Sequence, residues 1–450
     1  MSAIGAERQR AQNYFKSFKF GTFQNILASA DFADAARIAG CAPQRSTRVL
    51  IPEVVAWLMI YVSLQVTSMT NGLACAWGSL AGTLPVPLPK AVTEEAFVQA
   101  RSRLKRRFWR HLFDRIAQRY LQTFDAALKF KGRYTVKAID GTELTLGKSR
   151  KLAGFFGRPS NQKGAARLPM ARLVSIVNVL SGFCHQFVLV PLKIGEPLCL
   201  KHLIAGLLPF DILLLDAGFF SYLALVLIRR RRAHYLMRIN ARTQGFAKKL
   251  RTLGIDDWLV AFTPSRETRR RCPGLPETIV CRLICYRKPG FREAYLITSL
   301  TNPAVFSYEE LVELYHKRWR IETVHRDWKH VLSAQNFRSH TPLGIHKELY
   351  AQLMLWNLTR WVMTQAALDK GTDAMMLSFQ NAVTQVKSML LPMLMATPVN
   401  HVQWYRHLLA AIAAVSIRQR PGRSYPRLRD GKIKNKGKGR KQLPAKLPAT

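Results

Sequence analysis

The stretch Asp211–Phe220, DILLLDAGFF, carries an unbroken apolar run, Ile212 to Leu215, and then a carboxylate, Asp216. An apolar run of this kind marks a strand buried on both faces. Ala217-Gly218 and a helical pattern, FFSYLALVLIRRRR, follow it. Asp216 thus sits at the C-terminal end of a buried strand, where open α/β sheets gather their ligands. The plainer reading is an Asp that caps the next helix.

Working outward, YTVKAIDGTELTL (Tyr134–Leu146) is strand-like, and ARLVSIVNVLSGFCHQFVLVPLK (Ala171–Lys193) reads as two strands joined at Ser181-Gly182. LCLKHLIAGLL is helical, and AHYLMRIN after the Asp216 helix is a further strand. The order strand, hairpin, helix, strand, helix, strand predicts an α/β fold: a mixed sheet flanked by helices. Asp140, in KAIDGTEL, lies inside a strand-like run, where Asp is disfavoured unless it faces a metal or a partner. Its alternative is a hairpin turn at Asp140-Gly141.

From 241 to 305 the pattern breaks into short β-like pieces, DDWLVAF, TIVCRLICY and EAYLITSL, with turn signals at Pro273-Gly274 and Pro289-Gly290. The organisation expected is a helical DNA-binding region over 1–130, a catalytic core over 131–240, a β-rich insertion over 241–305, the core's last helix over 306–345, a helical region over 346–417 and a basic, disordered tail over 418–450. Thr93 is the N-cap expected for one helix over EEAFVQARSRLKRRFWRHLFDRIAQRYLQTF, with cations from Arg101 to Arg110 on its outer face.

Lys and Arg number 69 against 27 Asp and Glu, a net charge of +42. A chain this basic is suited to a polyanion, and nucleic acid is the commonest. A coat-like binder without chemistry and a membrane-surface protein are the plainer alternatives. The tail from Arg418 holds 12 Lys or Arg and one acidic residue. The seven cysteines include no C-x-x-C pair, which fits reduced thiols. Cys272, Cys281 and Cys285 raise a zinc site, but Cys281, Leu283 and Cys285 read more simply as one face of a strand. No signal-peptide pattern is present, and the apolar runs fall short of the ~20 residues a membrane span needs. The expected location is the cytoplasm.

YHKRWRIETVHRDWKHVL (Tyr315–Leu332) holds one Glu amid many cations. Read as one helix at about 100° per residue, Tyr315, Arg318, Glu322 and Lys329 share an arc of roughly 60°, with Arg326 beside it. Leu314, Ile321, Trp328 and Leu332 form a neighbouring apolar stripe that would pack on the sheet. A surface ion pair of Glu322 with Arg318 or Arg326 stabilises by only about 0.5 kcal/mol at most and leaves the rest of the layout unexplained. Three carboxylates, Asp140, Asp216 and Glu322, on separate elements suit a pair of Mg2+ ions, with the cations holding the DNA backbone.

These residues resemble the DDE transposases of bacterial insertion sequences, in the insertion-sequence-four type subgroup marked by Y-x2-R-x3-E-x6-K. Tyr315, Arg318, Glu322 and Lys329 meet that pattern at every named position. AIDGT and DAGFFS look like the family's two Asp motifs, and TEEAFVQARSRL looks like a segment of its N-terminal regions. The resemblance, over roughly 130 to 345, implies an RNase H-like core with a β-rich insertion. It implies Asp140, Asp216 and Glu322 as catalytic metal ligands, Mg2+ with Mn2+ able to substitute, and Tyr315, Arg318, Lys329, Arg326 and Arg238 as DNA contacts. It further implies double-stranded DNA partners, namely terminal inverted repeats and target DNA, and a homodimer in the synaptic complex. Ala217 departs from the Arg many members carry. Tyr295 and Trp258 are the insertion's aromatic residues able to stack on a flipped base, beside the plainer role of core packing. The rival activities are an RNase H-like nuclease without strand transfer and a DNA-binding remnant without catalysis.

Overall fold

The computed structural model describes residues 23–41, 50–64, 68–81, 92–161, 164–287, 293–333, 335–395 and 398–417. The basic tail over 418–450 lies outside the described residues. The strands in chain order are β1 (Lys129–Phe130), β2 (Tyr134–Thr145), β3 (Ser160–Asn161), β4 (Gly164–Ala165), β5 (Met170–Asn178), β6 (Cys184–Pro191), β7 (Asp211–Leu215), β8 (His234–Ile239), β9 (Lys248–Gly254), β10 (Asp257–Phe262), β11 (Ile279–Tyr286) and β12 (Ala294–Thr298).

All but β3 and β4 join one sheet, in the order β6-β5-β2-β7-β8-β12-β11-β10-β9, with β1 on β2. The pairs β2–β7 and β7–β8 are parallel, and the other pairings of this sheet are antiparallel. An antiparallel pair leading into three parallel strands, in the order β6-β5-β2-β7-β8, is the RNase H-like arrangement. The strands after residue 241 do not form a body apart. β12 pairs antiparallel with β8, so they prolong the core sheet.

β7 is buried at every position. Its residues alternate between two cores: Ile212 and Leu214 join one, Leu213 and Leu215 the other. That division is why an unbroken apolar run was needed here, since each face of the sheet carries helices. The first core takes the helices Arg106–Phe124, Arg320–His330 and Pro342–Lys370, and the second takes Glu196–Ile204 and Tyr222–Arg230. The hairpin turn falls at Ser181-Gly182, where Gly182 adopts φ +71°, a conformation glycine tolerates best. Asp140-Gly141 is not a turn. β2 runs through it, pairing Asp140 with Ser175 and Gly141 with Val174.

Two expectations of continuous helix are corrected. Thr93 does cap its helix, accepting the Ala96 N–H at 3.3 Å, but that helix ends at Arg103 and a second spans Arg106–Phe124. Leu104 and Lys105 are extended between them. The first helix packs on Pro52–Ser63, the second on Pro342–Lys370. Buried Lys347 donates to the carbonyls of Arg101 and Ser102 at 3.1 and 3.0 Å, which satisfies acceptors that the break leaves open. Arg101 is not on an outer cationic face: it meets Glu348 at 3.1 Å, and both are largely buried. The second interruption lies in the Glu322 region and is described with the site. No helix among the described residues is long and apolar enough to cross a membrane.

Candidate active site

β2 and β7 place the two aspartates. Their parallel register pairs Ala138 with Leu214. The same register carried two residues further sets Asp140 beside Asp216, on strands about 4.8 Å apart. Asp216 stands directly after β7 and does not cap the next helix. Its side chain makes no capping bond, and Ser221 caps Tyr222–Arg230 through the Ala224 N–H at 3.1 Å. The helix-cap reading therefore fails, and the carboxylate is left facing the strand ends.

Glu322 arrives on a separate helix. Helix Tyr308–His316 ends, a 3-10 turn covers Lys317–Trp319, and helix Arg320–His330 follows. The single helix assumed from spacing is thus broken in the middle of the signature. Ile321 and Trp328 still form the packed stripe, with Leu314 and Leu332 on either side, and all four are buried. Buried His325 adds a polar anchor: its Nε2 lies 2.9 Å from Ser175 Oγ, and Ser175 is the residue opposite Asp140 on β5. Burial pushes the His325 imidazole down to about 3, so it is neutral at physiological pH.

The centre of the arrangement is Arg318, which is only 4% exposed. Its Nη2 lies 3.4 Å from Glu322 Oε1. Burial works against its charge, but Tyr315 and the acids Asp216, Asp140 and Glu322 outweigh it and raise its pKa. The three acids therefore converge on one guanidinium. They do not close on one another: among the described residues no three His, Cys, Asp or Glu side chains form a group able to hold a metal ion.

Asp140 is the least compensated acid. Burial first, and then the charges of Glu196 and Glu322, push its carboxyl up to about 6, against the Gly141 N–H bond at 2.9 Å and Arg318. Asp216 has Arg238 Nε at 3.6 Å, while its Oδ1 is buried without a hydrogen-bond partner. Tyr315 is buried against this group. Its ring lies 6.0 Å from the Arg318 guanidinium, and its hydroxyl has no hydrogen-bond partner. Burial, together with Asp216, raises the phenol's pKa.

Two residues of the expected arc fall elsewhere. Arg326 is exposed and lies 3.6 Å from its neighbour Asp327. Lys329 lies in the field of Glu143, not of Glu322, and burial lowers its pKa. Once the chain is broken by a 3-10 turn, a fixed 100° step no longer predicts which side chains share a face. Tyr295 and Trp258 are half-buried and packed on the second core; the Tyr295 hydroxyl bonds Glu293 at 3.0 Å and Lys249 lies 4.0 Å over the Trp258 ring. Cys281 and Cys285 are buried free thiols on β11, as the strand reading had it. Glu196, Ser175 and His325 were not singled out from sequence. Pro197 marked a helix start beside Glu196, but nothing local told which way the carboxylate faces.

The donor set is chemically apt for Mg2+: hard carboxylate oxygens, one of them buried and unpartnered, beside a carboxyl whose charge lacks a counterion. An RNase H-like sheet with acids at its central strand ends defines a class of nucleic-acid phosphoryl-transfer proteins. The family described as "Transposase DDE domain" matches residues 131–358, just over half of the chain, and the chain belongs to that family. It is also similar to "Transposase InsG for insertion sequence element IS4" of Escherichia coli (strain K12): 26% identical over 423 residues, covering 91% of this chain and 93% of that protein. Among solved structures, a piggyBac transposase synaptic complex with hairpin DNA aligns over 89% of this chain and 86% of that one, at 11% identity and TM-score 0.45.

Proposed function

We propose that this DDE-family protein is the transposase of an insertion sequence, in the Y-R-E-K subgroup. It binds the element's terminal inverted repeats, cleaves the DNA at its ends and joins the released 3′ ends to target DNA. The observation that carries this reading is the convergence of Asp140, Asp216 and Glu322 on Arg318 at the end of β2 and β7. Family membership and the InsG likeness along nearly the whole chain support it.

Asp140, Asp216 and Glu322 would hold the Mg2+ ions, or Mn2+ in their place. When bound, such ions supply Lewis-acid stabilisation of the attacking and leaving oxygens. The chain's own groups do the rest. Arg318 neutralises the acids before DNA arrives and, with Tyr315, is placed to meet a phosphate at the site. Arg238 does the same beside Asp216. Lys329 and Arg326 lie away from that cluster and would meet the backbone further along the DNA, positioning it without reading bases. In the first step water attacks the phosphodiester at the element end and a 3′-hydroxyl leaves. In the second that hydroxyl attacks a target phosphodiester, so one P–O bond forms as another breaks. Both ends must be held together, which calls for a homodimer on DNA, and the work is done in the bacterial cytoplasm at the nucleoid.

Pre-cleaved ends incubated with a plasmid, Mg2+ and the full chain should give joined product. A nuclease without strand transfer would give none. Glu322→Ala should retain end binding and lose cleavage by more than about a thousandfold, in line with loss of a group that stabilises transition-state charge. Intact cleavage in that variant would remove Glu322 from the site.

A further inference from the structure

Glu196 opens the helix Glu196–Ile204, which packs on the second core, the opposite face of the sheet from the Glu322 helix. Its carboxylate lies against the backbone beside Asp140: a Cβ built on Gly141 would stand 2.2 Å from Glu196 Oε1 and 2.7 Å from its Cδ. Such an approach is open only because residue 141 has no side chain. The helix also packs on the Ala217–Phe219 turn that follows Asp216. Glu196 acts electrostatically on both aspartates.

The plain reading of Glu196 is a first-turn acid stabilised by its helix dipole. That reading places the residue in the first turn but gives no reason for a carboxylate to lie beside two others. Nor is Glu196 held by the nearest cation. Arg172 meets Glu143 at 3.2 Å and the Ile194 carbonyl at 2.8 Å instead. Like charges left together without a partner raise each other's energy, and a cation among them removes that cost. A second observation points to a ligand here. Tyr315 and Arg318, 3% and 4% exposed, border the same acids with the Tyr315 Oη and Arg318 Nε unpartnered.

We propose that Glu196 is a fourth acidic ligand of the divalent-cation site, reaching Asp140 and Asp216 over the end of β7 from the face opposite Glu322. This rests on the assignment of Asp140 and Asp216 to a cation site. Gly141 is then the seat that admits the fourth carboxylate. Two changes to different residues should have one effect. Glu196→Gln removes the charge. Gly141→Ala keeps every acid but forces the Glu196 carboxylate out of its seat, because β2 backbone accepts alanine while the space does not.

The test is the rise in melting temperature of the full-length chain as Mn2+ is added, with Asp140→Ala as reference. Binding to the folded state alone raises the melting temperature by mass action. The wild type should respond and Asp140→Ala should not. Glu196→Gln and Gly141→Ala should each need roughly tenfold or more Mn2+ for the same rise, the scale of losing one supporting ligand. Circular dichroism before titration confirms that each variant is folded. A response in both variants equal to wild type, with Asp140→Ala silent, would overturn the role of Glu196 and leave the site intact. No response in the wild type, or an unchanged one in Asp140→Ala, would overturn the cation site itself and the fourth ligand with it.

Discussion

The same two strands carry two charged sites of opposite character. Near the start of β7, Lys137 Nζ meets Asp211 Oδ2 at 2.6 Å with both side chains 2% exposed, and Asp211 also accepts the Leu208 N–H at 2.7 Å. Three residues further along β2, Asp140 has a bond from its own neighbour's N–H and no cation in contact. Asp216, five residues after Asp211, keeps a buried oxygen without a hydrogen-bond partner. The first site is matched and dry, so it joins β2 to β7. The second leaves negative charge under-compensated at the strand ends, which suits a cation and a phosphate. Burial alone does not mark a functional carboxylate; the mismatch between its charge and its partners does.

The largest expected effect breaks the matched site. Lys137→Met strands the Asp211 charge in the core and should cost ~3–5 kcal/mol, read by denaturant unfolding. A loss below about 1 kcal/mol would show that the two sites do not differ as described. The opposite sign is expected at Asp140. Its folded carboxyl titrates at about 6 against an ordinary 3.8, so the native state holds a proton that the unfolded chain releases between those values. Stability from this group is present below pH ~4 and lost as pH rises through ~6. Asp140→Asn, whose Oδ1 can still accept the Gly141 N–H, should therefore stabilise the metal-free protein at pH 7.5 by ~1–3 kcal/mol, and by nothing at pH 4. Equal gains at both pH values would mean that charge is not the cause.

Much of this was legible because it is written in short runs. Ile212–Leu215 has to be a buried strand, Ser181-Gly182 has to turn, and Leu314, Ile321, Trp328 and Leu332 are all buried as one stripe predicts. The two aspartates were found from their places on strands, and the Glu from its spacing to Tyr315 and Arg318. What escaped depends on partners distant in sequence. The helix break at Leu104–Lys105 goes with Lys347, and Arg101 is taken by Glu348, 247 residues away. The 3-10 turn at Lys317–Trp319 carries no Gly or Pro to announce it. Glu196 could not be oriented from sequence, since its contact with Gly141 exists only once the helix and β2 are packed.

A smaller effect sharpens how the third acid is held. Ser175, opposite Asp140, bonds His325, one turn beyond Glu322. Ser175→Ala leaves the His325 Nε2 buried without a partner and should cost ~1–3 kcal/mol. If the bond also fixes the Glu322 helix on the sheet, strand cleavage should fall about tenfold while end binding is retained, because small displacements of a reacting group are costly. A variant that is destabilised but cleaves at the wild-type rate would make the bond structural only.

The smallest effect concerns the two arginines that flank Glu322. Arg318 is buried with the acids, and Arg326 is exposed beside Asp327. Arg326→Ala should change stability by less than ~0.5 kcal/mol, since an exposed pair contributes little. If Arg326 meets a phosphate, its loss should weaken binding to every DNA sequence alike and reduce the salt slope of log K by about one. Arg318→Ala removes the cation shared by Asp140, Asp216 and Glu322, and should abolish cleavage at any salt concentration. Were Arg326→Ala instead to change end preference, it would be a base-reading residue, and the division between a positioning cation outside and a site cation inside would fall.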